Sequence, residues 1–153
     1  MISIYLEHLE GNEWVAQEVK LDVDADMSLS DETIDKDMCA LPRVIAYYAE
    51  LSAELHAQAA RFKQRMEETE ALTAISIRRD ASETGTKITE PSIKERVIAD
   101  PSVSTARNAY YKMDGQYRMM DGFYRALREK ASLAIAICYK QKEEIRVMNS
   151  PLT

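Results

Sequence analysis

Glycine and proline are scarce in this chain of 153 residues, with four of each. That scarcity points to long uninterrupted elements, because these residues are the strongest breakers of helices and strands. Cysteine is almost missing. Cys39 and Cys138 are too few and too far apart for a disulfide framework, so the expected setting is a reducing cytoplasm, with both side chains packed as small apolar groups. No apolar run approaches the roughly 18–20 residues that span a bilayer, so no membrane partner is expected. The opening MISIYLEHLEGNEW lacks a basic stretch followed by a long apolar one, which excludes the signal-peptide pattern. Histidine occurs only at His8 and His56, neither in an HExxH or CxxC context, so no metal site is expected. There is no Gly-rich phosphate loop and no GxSxG. With two histidines, a nucleophilic triad assembled in space has a low prior. The chain therefore reads as a non-enzymatic protein with no catalytic residue and no cofactor, and a small hydrolase is the weakest of the function classes.

What is present suits one small folded domain. Hydrophobic residues make up 46% and charged residues 30% of the chain, a globular rather than a disordered balance. The net charge is −6 but unevenly placed: residues 1–42 hold 11 acids against 2 bases, residues 43–153 hold 15 acids against 18 bases. An acidic arm thus precedes a mildly basic body, a distribution that permits a polyanionic partner for the body. The arm itself would either dock basic partners or cover the body's binding surface.

Residues 2–8 alternate Ile2, Ile4 and Leu6 with Ser3, Tyr5 and Glu7, and residues 15–23 alternate through Val15, Gln17, Val19, Leu21 and Val23. With Glu10-Gly11-Asn12 between them, the two runs predict a β-hairpin that must pack on helices or a neighbouring subunit. Residues 24–40 read as an acidic linker, with one short helical turn from Ser30. Asp22, Asp24 and Asp26 open like a calcium loop, but Met27 and Thr33 stand where that loop needs Gly and Glu, so a solvated linker is the better reading. Pro42 offers a helix start. From there Leu41, Val44, Tyr48, Leu51, Leu55, Ala59, Phe62 and Met66 form one stripe of a helix running to about Arg79, about 55 Å long.

Gly85 breaks the pattern, and Thr89 with Glu90-Pro91 predicts the capped start of a short helix to about Ala99. Asp100-Pro101 repeats the signal for a last helix. There Ala106, Tyr110, Met113, Tyr117, Met120, Tyr124, Leu127, Ala131, Ala134, Cys138, Gln141 and Ile145 keep a four-three spacing, a coiled-coil-like seam. The predicted fold is mainly α: a long antiparallel helical hairpin with a short connecting helix and a small N-terminal β-hairpin. Its segments are residues 1–40 (hairpin and acidic linker), 41–148 (helical body) and 149–153 (tail). A second apolar line, Met119, Phe123, Ala126, Leu133 and Ile137, exceeds what two helices can bury, so a homo-oligomer is expected. Gly115 and Gly122 lie seven apart on one face, each costing about 1 kcal/mol relative to Ala. Either another backbone approaches them or they are tolerated surface glycines. The candidate oligomer interface is Gly115, Met119, Gly122, Phe123, Leu133 and Ile137.

Two groups of bases remain. Asp114 precedes Arg118 and Asp121 precedes Arg125 at i,i+4, the signature of a salt-bridged exposed face. Arg78, Arg79, Lys87, Lys94 and Arg96 instead cluster within nineteen residues, interleaved with Asp80, Glu83, Glu90 and Glu95. These five are the candidate contacts to a single-stranded nucleic acid, where a few cations per subunit suffice if an oligomer repeats them.

The order LPRVIAYYAELSAELHAQAARFKQRMEETEALTAISIRRD, SETGTKITEPSIKERVIADP, then a Tyr/Ala-rich helix ending REKASLAIAICYKQKEE, resembles the UvsY-type recombination mediators of tailed phages. The likeness covers about residues 20–146 and leaves the β-like residues 1–23 outside. It implies single-stranded DNA binding, a ring-like oligomer of six or seven copies, and the loading of a RecA-like recombinase onto DNA covered by single-strand-binding protein, in the host cell cytoplasm. It also implies DNA contacts near the end of the first long helix, where Arg78 and Arg79 stand with Lys87 nearby. Ala74 and Ser76 stand where that family's helix end alternates further bases. The competing reading is a helical adaptor or assembly protein that only self-associates and binds protein partners.

Overall fold

A computed structural model describes residues 1–10, 13–28 and 34–148, with the side chains of residues 9, 10 and 35 left aside. The expected turn at Gly11-Asn12, the helical turn expected from Ser30 and the tail 149–153 lie outside the described residues. The elements are β1 (Ile2–Glu10), β2 (Glu13–Leu21), α1 (Val23–Met27), α2 (Ile34–Glu83), α3 (Glu90–Ala99) and α4 (Pro101–Met148). The chain divides into two compact units, Met1–Ser52 with Met119–Thr153, and Ala53–Arg118. Each long helix contributes one end to each unit.

In the first unit, β1 and β2 pair antiparallel with Ile2 opposite Leu21, Ile4 opposite Val19 and Glu10 opposite Glu13. The alternation read from the sequence sets the inward face: Ile4, Leu6 and Leu21 are buried, while Tyr5 and Trp14 stand out to solvent. The second run was expected to continue to Val23. It ends at Leu21, because the Asp22 side chain accepts a hydrogen bond from the Ala25 amide at 3.3 Å and so caps α1.

The reading of residues 24–40 as a linker needs correction. Two helices occupy it, α1 and the first seven residues of α2. The reason lies in a heptad line: Ile34, Leu41, Tyr48 and Leu55 are all buried, so the stripe extends one repeat upstream of where the acidic composition hid it. Pro42 consequently sits inside α2 rather than at its start. It has no N–H to give the carbonyl four residues earlier, and its own side chain is exposed. On α4 the matching line Met120, Leu127 and Ala134 is buried in this unit.

The centre of the first unit is a polar clasp. Tyr48 is fully buried, and its hydroxyl donates to Oδ2 of Asp26 at 2.8 Å. The Lys130 ammonium donates to the Asp26 carbonyl oxygen at 2.8 Å. Burial and then the Asp26 hydrogen bond push the Tyr48 phenol well above its ordinary range, so it stays a neutral donor. A five-residue helix has no stability of its own; α1 is held by this clasp and by buried Val23.

In the second unit, α2 and α4 run antiparallel. The His56 ring meets the Tyr117 ring with centroids 4.8 Å apart, and further along α2 Glu70 pairs with Arg107 at 2.8 Å. Helix α2 ends at Glu83 and is closed by Gly85, two residues on, at φ +62°. The Thr86 amide bonds the Ala81 carbonyl at 2.9 Å and the Gly85 amide bonds that of Ser82 at 3.2 Å, a Schellman closure that needs the left-handed residue glycine supplies. Thr89 occupies the N-cap of α3, but its side chain makes no capping hydrogen bond. Asp100 closes α3 and opens α4: its amide bonds Val97, and its carboxylate accepts from the Ser102 amide at 2.8 Å. Ile93, Val97 and Val103 form the buried cluster here, with Ala74, Ile77 and Ile88 against it. No helix among the described residues is long and apolar enough to cross a membrane.

Candidate nucleic-acid interface

The five candidate cations sit at one end of the second unit but do not act alike. Arg78, on α2, meets Glu90, the first residue of α3, through Nη2 at 2.9 and 3.2 Å and through Nε at 3.4 Å. Arg79 is shared between Asp80 at 3.9 Å and Glu83 at 3.8 Å. Both arginines are exposed, so each pair contributes at most about 1 kcal/mol; what the pairs change is charge, which is locally cancelled. Lys87, Lys94 and Arg96 are exposed, and no ion pair joins them to a carboxylate among the described residues. Lys94 and Arg96 differ by two positions on α3, so they point to nearly opposite sides of that helix.

The structure brings two of the five together. Arg78 and Lys94 line one groove of about 320 Å³ with Arg107 of α4, the carboxylates of Glu70 and Glu90, and Ile98; its floor is the apolar set Ala74, Ile93 and Val97. Arg79, Lys87 and Arg96 stand outside that groove. Arg107 was not among the expected contacts. It lies on α4, more than ten residues from the cluster, next to a seam residue, and no sequence spacing ties it to Arg78. Its Nε reaches Glu70 Oε1 at 2.8 Å.

The expected i,i+4 pairs are formed, Asp114 with Arg118 and Asp121 with Arg125, each at 2.7 Å. The candidate oligomer line is only partly covered within the chain. Met119, Phe123, Ala126 and Ile137 are half-buried, and Leu133 is 63% exposed. A methyl group added at Gly115 or at Gly122 would meet nothing within 4 Å, so neither glycine accommodates a neighbour from its own chain. At the end of α4, Ile145, Val147 and Met148 are exposed as well. A shallow depression there, about 530 Å³ along Lys140, Glu143, Glu144, Val147 and Met148, is walled by one helix alone and is a surface rather than a site.

No family model, no curated protein and no solved structure matches the chain. The functional reading therefore rests on this geometry and on the pattern in the sequence. Among the described residues no group of three His, Cys, Asp or Glu side chains is placed to hold a metal ion.

Proposed function

We propose that this chain binds single-stranded DNA through the α2–α3–α4 end of the second unit and acts, as a self-associating protein of the UvsY type, to help a RecA-like recombinase load onto DNA covered by single-strand-binding protein. The observation that supports this best is that Lys87, in the α2–α3 connection, and Lys94 and Arg96, on opposite sides of α3, are exposed without carboxylate partners among the described residues. Cations left unpaired in a folded chain are available to phosphates without first breaking an ion pair, and counterion release makes each such contact salt-dependent. A few weak contacts per copy, repeated around an assembly, hold a strand while leaving it exchangeable, which is what handing a strand from one protein to another requires.

The direct measurement is fluorescence anisotropy of a labelled oligo(dT) across a salt series. Binding is expected at low salt, with a log–log slope that falls by about 2 when Lys87, Lys94 and Arg96 become Ala together, at roughly 0.7 per phosphate contact on a single strand. A folded, associated protein that shows no retention even at the lowest salt of the series, where weak phosphate contacts register most strongly, refutes the reading. A specific observation favours the second reading, an adaptor that only self-associates: the second unit carries eleven bases against ten acids, and Arg78 and Arg79 are both held by carboxylates.

A further inference from the structure

Three cations from three different helices converge on the groove of the second unit: Arg78 of α2, Lys94 of α3 and Arg107 of α4. Sequence separation alone would scatter them, and the apolar cluster beneath them fixes the helix ends that carry them. Two carboxylates line the same groove, and each is committed to one guanidinium. Glu90 takes Nε and Nη2 of Arg78; Glu70 takes Nε and Nη2 of Arg107. A guanidinium has five N–H donors in a fixed fork. In both arginines the two donors on Nη1 lie outside these contacts, and Lys94 brings three more. The groove thus holds one net positive charge and a surplus of donors, over a floor that is apolar. Its volume lies at the small end of the range for ligand pockets, about 300–1,000 Å³.

We propose that this groove seats a phosphodiester of the bound strand on Arg78, Lys94 and Arg107, and that Glu90 is a resident anion which the strand displaces from the Arg78 fork. The proposal rests on the single-strand reading above and adds to it Arg107 as a contact and Glu90 as a brake on affinity. A phosphate oxygen pair matches the guanidinium edge that Glu90 now occupies, because carboxylate and phosphate present the same bidentate geometry. The pair is exposed on both sides, 49% for Arg78 and 66% for Glu90, so exchanging one anion for another is inexpensive.

The test is a gain of affinity, which misfolding cannot mimic. Anisotropy with labelled oligo(dT) is measured at 0.1 M salt, where charges beyond about 10 Å are screened, for wild type, Glu90→Gln, Lys94→Ala, Arg107→Gln and the control Glu95→Gln. Glu95 is on the same helix outside the groove. Glu90→Gln is expected to bind about two- to five-fold more tightly, the range an exposed ion pair spans; Glu95→Gln moves less, and Lys94→Ala and Arg107→Gln bind more weakly at unchanged helicity. If wild type binds and Glu90→Gln is no tighter than Glu95→Gln, the groove assignment is wrong while the single-strand reading stands. If no variant binds, Glu90→Gln included, both fall.

Discussion

Replacing Tyr48 by Phe isolates one hydrogen bond in the first unit. The ring stays, so the buried apolar area is unchanged; the hydroxyl that donates to Asp26 at 2.8 Å is lost. A hydrogen bond to a charged group contributes about 1.5–3 kcal/mol. Asp26 is only half-buried, so water partly replaces the missing donor and the lower end, about 1.5 kcal/mol, is expected. For a chain of this size 1 kcal/mol shifts Tm by about 2–4 °C, which puts the shift near ~5 °C in thermal denaturation followed by circular dichroism. Protein concentration must be held fixed, because association would itself raise Tm. Asp26→Ala should cost a similar amount, and the double variant little more than either, since both remove the same contact. Lys130 still holds the Asp26 carbonyl in every one of these variants, so α1 is loosened and not released. Costs that simply add in the double variant would refute a direct Tyr48–Asp26 clasp. The alkaline limb checks the same bond. The Tyr48 phenol is raised in the folded chain, so its contribution is complete below about pH 10, where the unfolded phenol begins to ionise, and is lost as pH climbs through the folded value. Tyr48→Phe should flatten that limb.

At the acid end, hydrogen bonds from the Ser102 side chain and then its amide hold the Asp100 carboxyl below its ordinary range. Its stabilising effect is present above about pH 4 and disappears as pH falls through the lowered value, so Asp100→Asn should show a smaller loss of Tm between pH 5 and pH 2 than wild type. On α4, Phe123→Asp should dissolve self-association as read by light scattering. Leu133→Asp alters a side chain already 63% exposed and should do the same with the helical signal intact; a wild type that is monomeric at all concentrations removes this interface.

Periodicity carried most of the architecture. The four-three spacing along α4 and the Tyr48–Met66 stripe located both long helices, because helix burial repeats every 3.6 residues whatever the partner is. Alternation located both strands for the same kind of reason, and Gly85 and Asp100-Pro101 placed the breaks. The upstream start of α2 was masked by composition: the acidic residues around Ile34 suggest a solvated linker, yet a helix's first turn tolerates acids well, and one buried side chain, Ile34, is enough to extend the stripe by a heptad. Contacts between distant elements left no trace in the sequence. Tyr48 and Asp26 are 22 positions apart, Lys130 and Asp26 104, and no period links them. The candidate groove was half legible for that reason. Arg78 and Lys94 stood in one cluster, whereas Arg107 enters only once α4 has turned back along α2.

The two ion pairs of that groove differ in what each carboxylate would face if its arginine turned to a phosphate. Glu90 is the first residue of α3, and the Thr89 side chain makes no capping bond there. Its charge lies at a helix N-terminus, where unsatisfied amides and the helix dipole favour an anion by about 0.3–1 kcal/mol. That compensation remains when Arg78 leaves, and it is of the same order as the exposed ion pair itself. Glu70 sits deep within α2, far from either end, and its pair with Arg107 is more enclosed, about 30% exposed on both sides. Losing Arg107 would strand Glu70 without a substitute, a costlier change for a partly buried charge. The pair that opens is therefore Arg78–Glu90, while Arg107 keeps its carboxylate and offers only Nη1. On this asymmetry Glu70→Gln should loosen the α2–α4 contact and lower Tm more than Glu90→Gln does, because it removes the more enclosed of the two ion pairs.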